Sequence, residues 1–253
     1  MKKLITICAV MTMLLAVSGV AQAMPTAPVR ISMGPGSYTL TTLGDTETPE
    51  KFGKIFPNWI QYPAGYIYYV EVLDFTPLPP IPDSHSWSHL PDYHSVKIAL
   101  WDGNYKSWGV VAYPDAHSVE PKDYLLMREG SINIGTGVGP EGDMAKTYVN
   151  DLGDNFDLRF ELTQSVAAGP ATITGYYRRD GETDWTQWAS ETTSLYYPNF
   201  SIQGGRPFMI VGGGPGTADW SDFATNTIPA PGAILLGSIG VGLVGWLRRR
   251  RTL

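Results

Sequence analysis

Between residues 156 and 162 the chain alternates strictly. Phe156, Leu158, Phe160 and Leu162 are apolar, and Asp157, Arg159 and Glu161 between them are charged. Successive side chains of a strand point to opposite faces, so this pattern specifies a half-buried β-strand and conflicts with the 3.6-residue period of an amphipathic helix. No convincing twelve-residue helical pattern occurs anywhere in the body of the chain. Other strand signals are plentiful. Tyr66 to Phe75 is a run of aromatic and β-branched residues, and Ser95 to Trp101 and Lys106 to Tyr113 flank the turn Asp102-Gly103-Asn104. Thr172 to Arg178 and Thr183 to Trp188 flank Asp180-Gly181, while Pro207 to Val211 and Asp219 to Thr225 read as short strands. The 28 glycines and 20 prolines suit short strands joined by turns. Thr76 to His94, with five prolines and three histidines, and the glycine-rich stretch Gly135 to Asp143 read as loops. The predicted fold is all-β, an antiparallel β-sandwich of jelly-roll type, with immunoglobulin-like tandem modules as the alternative.

The ends of the chain have a different character. Lys2 and Lys3, the apolar run Leu4 to Val20 and the small-residue site Ala21-Gln22-Ala23 have the layout of a secretory signal peptide over residues 1–23, so that the mature chain begins at Met24 and signal peptidase is a partner. Cys8, the only cysteine, lies inside the apolar run. The mature chain therefore has no disulfide, thiolate metal site or cysteine nucleophile, and its stability must come from its own core.

Six of the 18 Lys and Arg residues are terminal, whereas all 24 acidic residues fall between Asp45 and Asp222, which leaves the body 24–227 with a net charge of −12. Phosphate-backbone binding needs clustered cations, so no nucleic-acid partner is expected.

At the other end Pro229-Ala230-Pro231-Gly232 precedes fifteen uncharged residues, 233–247, and then Arg248, Arg249, Arg250 and Arg251. With Pro231 and Gly232 this stretch reaches the lower limit of the roughly 17 to 25 residues that a spanning helix needs. The arginines would hold its end in the cytoplasm and leave the acidic body outside. A short Pro-containing motif, a compact Gly-rich apolar helix and an Arg cluster, over residues 228–253, resemble the PEP-CTERM sorting signal of exported Gram-negative proteins. Ala230 stands where that family usually has Glu. The resemblance implies an inner-membrane-anchored precursor, cleavage near Pro229 to Gly232 by an exosortase-like membrane protease, and delivery to the cell surface or extracellular matrix. An uncleaved single-span surface protein is the alternative.

The order of long strands, a mid-chain aromatic hairpin and the late run Asp219-Trp220-Ser221-Asp222-Phe223 resemble concanavalin A-like lectin and glucanase domains. Carbohydrate binding in such folds rests on exposed aromatic faces. Trp101, Trp108, Trp185 and Trp188, in or beside hairpins, are the candidate ligand-binding residues, and an exopolysaccharide is the candidate ligand. The competing reading places these rings in the core.

Catalytic signatures are missing. There is no E-x-D-x-x-E, H-E-x-x-H or G-x-S-x-G, and Asp219 and Asp222, three apart on one strand, would face opposite ways. A divergent polysaccharide hydrolase or lyase remains the enzymatic alternative, and no catalytic residue is assigned. His85, His89 and His94 lie among prolines and read as a polar loop, so no metal ligand is assigned there. Asp151, Asp154 and Asp157 are a candidate site for structural calcium, and no other cofactor is expected.

The two ends generate a direct test. Intact-mass measurement on membrane and medium fractions of native cells is expected to find a released form running from Met24 to a residue between Pro229 and Gly232. A full-length tail confined to the membrane would identify an uncleaved anchor.

Overall fold

A computed structural model describes residues 29–41, 52–57, 59–61, 65–80, 95–102, 106–114, 123–133, 137–165, 169–193 and 204–227. The chain divides into two units, Arg30–Asn226, and the terminal stretches Met1–Val29 and Thr227–Leu253. The signal peptide with Ala21, Ala23 and Met24, the three histidines, and the tail with Pro229, Ala230, Pro231, Gly232 and Arg248 to Arg251 lie outside the described residues.

One sheet has six strands. In spatial order they are β1 (Val29–Ser32), β15 (Asp222–Thr227), β5 (Ile67–Phe75), β10 (Phe156–Gln164), β11 (Ala171–Arg179) and β12 (Thr186–Thr192). A second sheet runs β3 (Phe52–Ile55), β13 (Gly204–Gly212), β6 (Ser95–Trp101), β7 (Lys106–Tyr113), β8 (Asp123–Asn133) and β9 (Gly137–Val149), with β4 (Ile60–Gln61) also on β13. A small third sheet pairs β14 (Gly216–Trp220) with β2 (Gly36–Leu40). β5 lies against β6, β10 against β6 and β7, and β12 against β9, which stacks the two large sheets as a sandwich.

The period-two pattern sets which residues face inward. Phe156, Leu158, Phe160 and Leu162 pair with Phe75, Val72, Val70 and Tyr68 on β5, and all eight are buried. Ile98, Leu100, Trp108, Val110, Leu125 and Met127 supply the facing layer of the second sheet. Phe56 bridges the layers, with its ring centroid 5.0 Å from that of Phe223. The predicted strand Asp219 to Thr225 is two strands. Ser221 breaks it, donating both its N–H and its hydroxyl to the Leu73 carbonyl, so β14 pairs with β2 and β15 with β5. The glycine-rich stretch expected as a loop is also corrected. Residues 137–143 form the first half of β9, paired to β8 with two register shifts that absorb the irregular backbone.

β1 is held at the sheet edge by charge. Arg30 bonds Glu71 Oε1 through Nε at 3.1 Å and Asp222 Oδ2 through Nη2 at 2.6 Å, and it also reaches Tyr69. Ser32 Oγ and Gly34 N–H donate to Asp222 Oδ1 at 2.6 and 3.0 Å, while Met33 N–H donates to Phe223 O.

Burial alone would raise the Asp222 carboxyl, but hydrogen bonds from Ser32, Arg30 and Gly34, together with the Arg30 charge, outweigh it and hold the group below its ordinary value. Glu71 goes the other way, since burial raises it against the opposing pull of Arg159 and Arg30. A depressed carboxyl contributes stability above its unfolded pKa, near 3.9 for Asp, and loses it as pH falls through the folded value. A raised one contributes most below the unfolded value and loses that contribution as pH rises through the folded value. Asp222→Asn is therefore expected to cost roughly 1 to 3 kcal/mol at pH 7, the range for charge-assisted hydrogen bonds. Thermal melts of variant and wild type should converge as pH falls through the folded-state value of Asp222, which lies below that of an ordinary aspartate.

Candidate functional site

The four tryptophans singled out in the sequence do not form one face. Trp101 and Ser107 face each other across β6 and β7, as do Leu100 and Trp108, so the two indoles of this hairpin project from opposite sides of the sheet. Trp108 is 0% exposed, between Leu100 and Glu129 in the sandwich interior, and no ligand reaches it. Its assignment to a binding face is corrected: the even register of β7 turns it to the core. Trp101 packs on Ala99 and Phe208 on the other side of the sheet.

The second hairpin splits its pair in the same way. Trp185 precedes β12 and lies on the outer face of the six-stranded sheet, with the Arg178 and Arg159 guanidiniums 4.9 and 5.6 Å from its ring. Trp188 is the extra residue of a bulge, because Gly175 pairs with Ala189 and Tyr176 with Gln187. Its indole turns inward and lies flat over Gly175, where a Cβ would come within 2.5 Å of the ring. Only glycine permits that approach.

Beside Trp188 the sandwich opens. β9 and β12 are the edge strands of the two sheets, and between them is a pocket of about 380 Å³. Its aromatic walls are Trp188 and the inward-facing Tyr177, while Tyr148, 50% exposed, borders it from β9 with its ring on the outer face of that sheet beside Tyr124. Thr147 and Thr186 offer hydroxyls, Asn150 and Gln187 amides, and Arg179 a guanidinium, while among the described residues no carboxylate lines the pocket. Aromatic surface with a few convergent polar groups, at this volume, is the usual constitution of a small-ligand site. Tyr148 is steadied by a cross-strand ladder: Tyr113 and Tyr124 stack at 4.3 Å, Tyr124 and Tyr148 lie at 6.1 Å, and Lys146 Nζ sits 4.2 and 4.8 Å over the last two rings. Sequence reading missed Tyr148, Asn150, Tyr177, Arg179 and Gln187. The signal was present in the alternation of Lys146 and Tyr148 with Thr147 and Val149, next to the stretch taken for a loop.

A second polar cluster covers the outer face of the six-stranded sheet. Arg159 Nη2 meets Glu161 Oε1 at 2.7 Å and its Nη1 lies 3.8 Å from Glu71 Oε2, with its guanidinium over Tyr69 at 4.3 Å. The Tyr176 hydroxyl donates to Glu161 Oε2 at 3.2 Å, and burial followed by the Glu161 charge raises its pKa. Glu71 and Glu161 are neighbouring carboxylates, but an arginine stands between them and Arg30 covers the remaining oxygen of Glu71. A glycosidase pair needs the scissile bond in that space. This cluster acts as a cross-strand brace.

The aspartates proposed for calcium do not converge. Asp157 accepts Asp74 N–H at 2.7 Å on one oxygen and Arg178 on the other, supporting a bulge at which Asp74 takes a φ of 47°. Asp151 caps its own turn by accepting Gly153 N–H. Among the described residues no group of three metal-ligating side chains comes together.

No family model matches the chain, and no curated protein does. Several solved structures are similar. A legume lectin-like domain from Entamoeba histolytica aligns with 79% of this chain and 90% of its own at 9% identity and a TM-score of 0.43. A lectin from Bauhinia forficata in complex with GalNAc aligns with 79% and 97% at 9% identity and a TM-score of 0.35. An engineered GH43 glycoside hydrolase aligns with 76% of this chain and 34% of its own at 12% identity and a TM-score of 0.42. All three scores are low, so the sandwich rests on its strand pairing and the site on its own geometry.

Gly175→Ala tests the seating of Trp188. The new methyl is expected to displace the indole, cost about 1 to 3 kcal/mol in thermal stability and change the near-ultraviolet circular dichroism. An unchanged spectrum would mean the ring does not rest on Gly175.

Proposed function

We propose that this chain is an exported cell-surface or extracellular-matrix protein whose β-sandwich binds carbohydrate, without catalysis, in the edge pocket between β9 and β12. The observation that carries the reading is the composition of that pocket: Trp188 and Tyr177 offer ring surface to a sugar, and Thr147, Asn150, Thr186 and Gln187 offer hydrogen bonds to its hydroxyls. Pyranose rings present an apolar face of C–H groups beside a polar rim, the combination such a wall complements. The concanavalin A-like relationship belongs to this proposal.

Export rests on residues 1–23 and sorting on residues 228–253, with signal peptidase and an exosortase-like protease as the processing partners. The protein would pass from an inner-membrane-anchored precursor, its body outside the cytoplasm, to the surface or medium, and its ligand would be the exopolysaccharide found there. A hydrolase acting through Glu71 and Glu161 is disfavoured by Arg159, which occupies the space between them.

Binding is tested with the full chain in detergent against exopolysaccharide purified from the native cells. Trp188→Ala is expected to weaken binding by at least about tenfold, because losing an aromatic stacking surface costs on the order of 1.4 kcal/mol. Trp185→Ala, on the opposite side of its sheet, should leave affinity unchanged. Binding insensitive to Trp188, or shortening of the polymer during incubation, would overturn the reading.

A further inference from the structure

We infer that the ligand of the edge pocket is an anionic saccharide, one bearing a carboxylate as a uronic acid does, and that Arg179 is the residue selecting it. The inference rests on the carbohydrate-binding reading of this pocket and narrows it to a ligand class. The body carries a net charge of −12, yet the pocket walls contain an arginine and no Asp or Glu. Arg179 shares its charge with Glu182 beside the pocket, so the inference turns on which of its donors stay open to a ligand.

The geometry of Arg179 adds direction. Its Nε donates to the Asp151 carbonyl at 2.5 Å and its Nη1 lies 3.3 Å from Glu182 Oε1, while the Arg179 N–H donates to Glu182 Oε2 at 3.0 Å. The guanidinium also lies 5.2 Å over the Tyr177 ring. These contacts fix the plane of the group and leave Nη2, with the second hydrogen of Nη1, without a partner among the described residues. That is the end-on pair of donors that grips a carboxylate bidentately. A second cation, Lys146, lies over the ring of Tyr148 at the rim.

Two acidic residues stand close, and neither is open to replace the ligand. The Asp151 carboxylate accepts Gly153 N–H at 2.7 Å, and exposed Glu182 is engaged by the Arg179 backbone and side chain. Repulsion from the rest of the acidic body is screened beyond about 8 Å at physiological salt, so the local cation decides.

The test compares an oligogalacturonate with its fully methyl-esterified form, probes of one linkage and length that differ in the charge of the carboxylate, against the full chain in detergent. The acidic probe is expected to bind at least about tenfold tighter, with the difference lost in Arg179→Gln and reduced at high salt, as a charge-assisted contact requires. Glu182→Gln, which releases Nη1, is expected to strengthen binding of the acidic probe and keeps the test open if Arg179→Gln folds poorly. Equal binding of both probes, abolished by Trp188→Ala, would overturn the anionic assignment while leaving the pocket as the sugar site. Absence of any Trp188-dependent binding would overturn both.

Discussion

The carboxylate of Glu71 stands on the outer face of the six-stranded sheet with a guanidinium on each side, and the sheet is assembled around it. Arg159 comes from the neighbouring strand β10 and Arg30 from the edge strand β1, and Arg30 in turn holds Asp222 on β15. Four strands that are far apart in sequence are indexed to one buried charge. Ionising that carboxylate costs free energy, as its raised pKa records, and removing either arginine would leave a buried charge short of compensation. A body without disulfides has few other ways to fasten an exposed first strand. Val29 and Ile31, both exposed, contribute little burial to β1, and polar contacts do the fastening.

Aromatic residues and glycines divide the remaining work. Three of the described glycines lie against an indole that a Cβ would strike: Gly36 against Trp220, Gly175 against Trp188 and Gly204 against Trp59. Each pair replaces a side-chain contact with ring-on-backbone contact, the close approach that a Cβ would prevent. The tyrosine ladder performs a complementary task, carrying order from the buried Tyr113 outward to Tyr148 at the pocket rim. The candidate site is therefore placed largely by strand-borne residues, and its rim is tied through ring contacts to buried ones.

Much of the sandwich was legible because period-two alternation is a local property. Ser95 to Trp101 and Lys106 to Tyr113 match β6 and β7 residue for residue, and the Phe156 to Leu162 strand matches β10 apart from its C-terminal extension. Failures occurred where pairing overrode local signal. Glycines in β9 suggested a loop, yet β8 supplies a partner strand that tolerates them through register shifts. β1 carries almost no burial pattern, since its place depends on Arg30 meeting residues 41 and 192 positions away. The site was half legible for a similar reason. Composition pointed to Trp188, but whether an indole lines a pocket or fills a core depends on the bulge that turns it, and a bulge is a property of two strands. Arg179 and Tyr148 meet in the pocket only because the edges of two sheets coincide.

The neighbours β1 and β15 also close the body on itself. β1 opens the run of strands and β15 ends it, so the first and last strands of the body are fastened to each other at one margin of the six-stranded sheet. Asp222 is the clasp, held by Arg30, Ser32 and Gly34. The cleft between β9 and β12 lies at the other margin of that sheet, where β12 is the last strand, so the clasp and the candidate site occupy opposite edges.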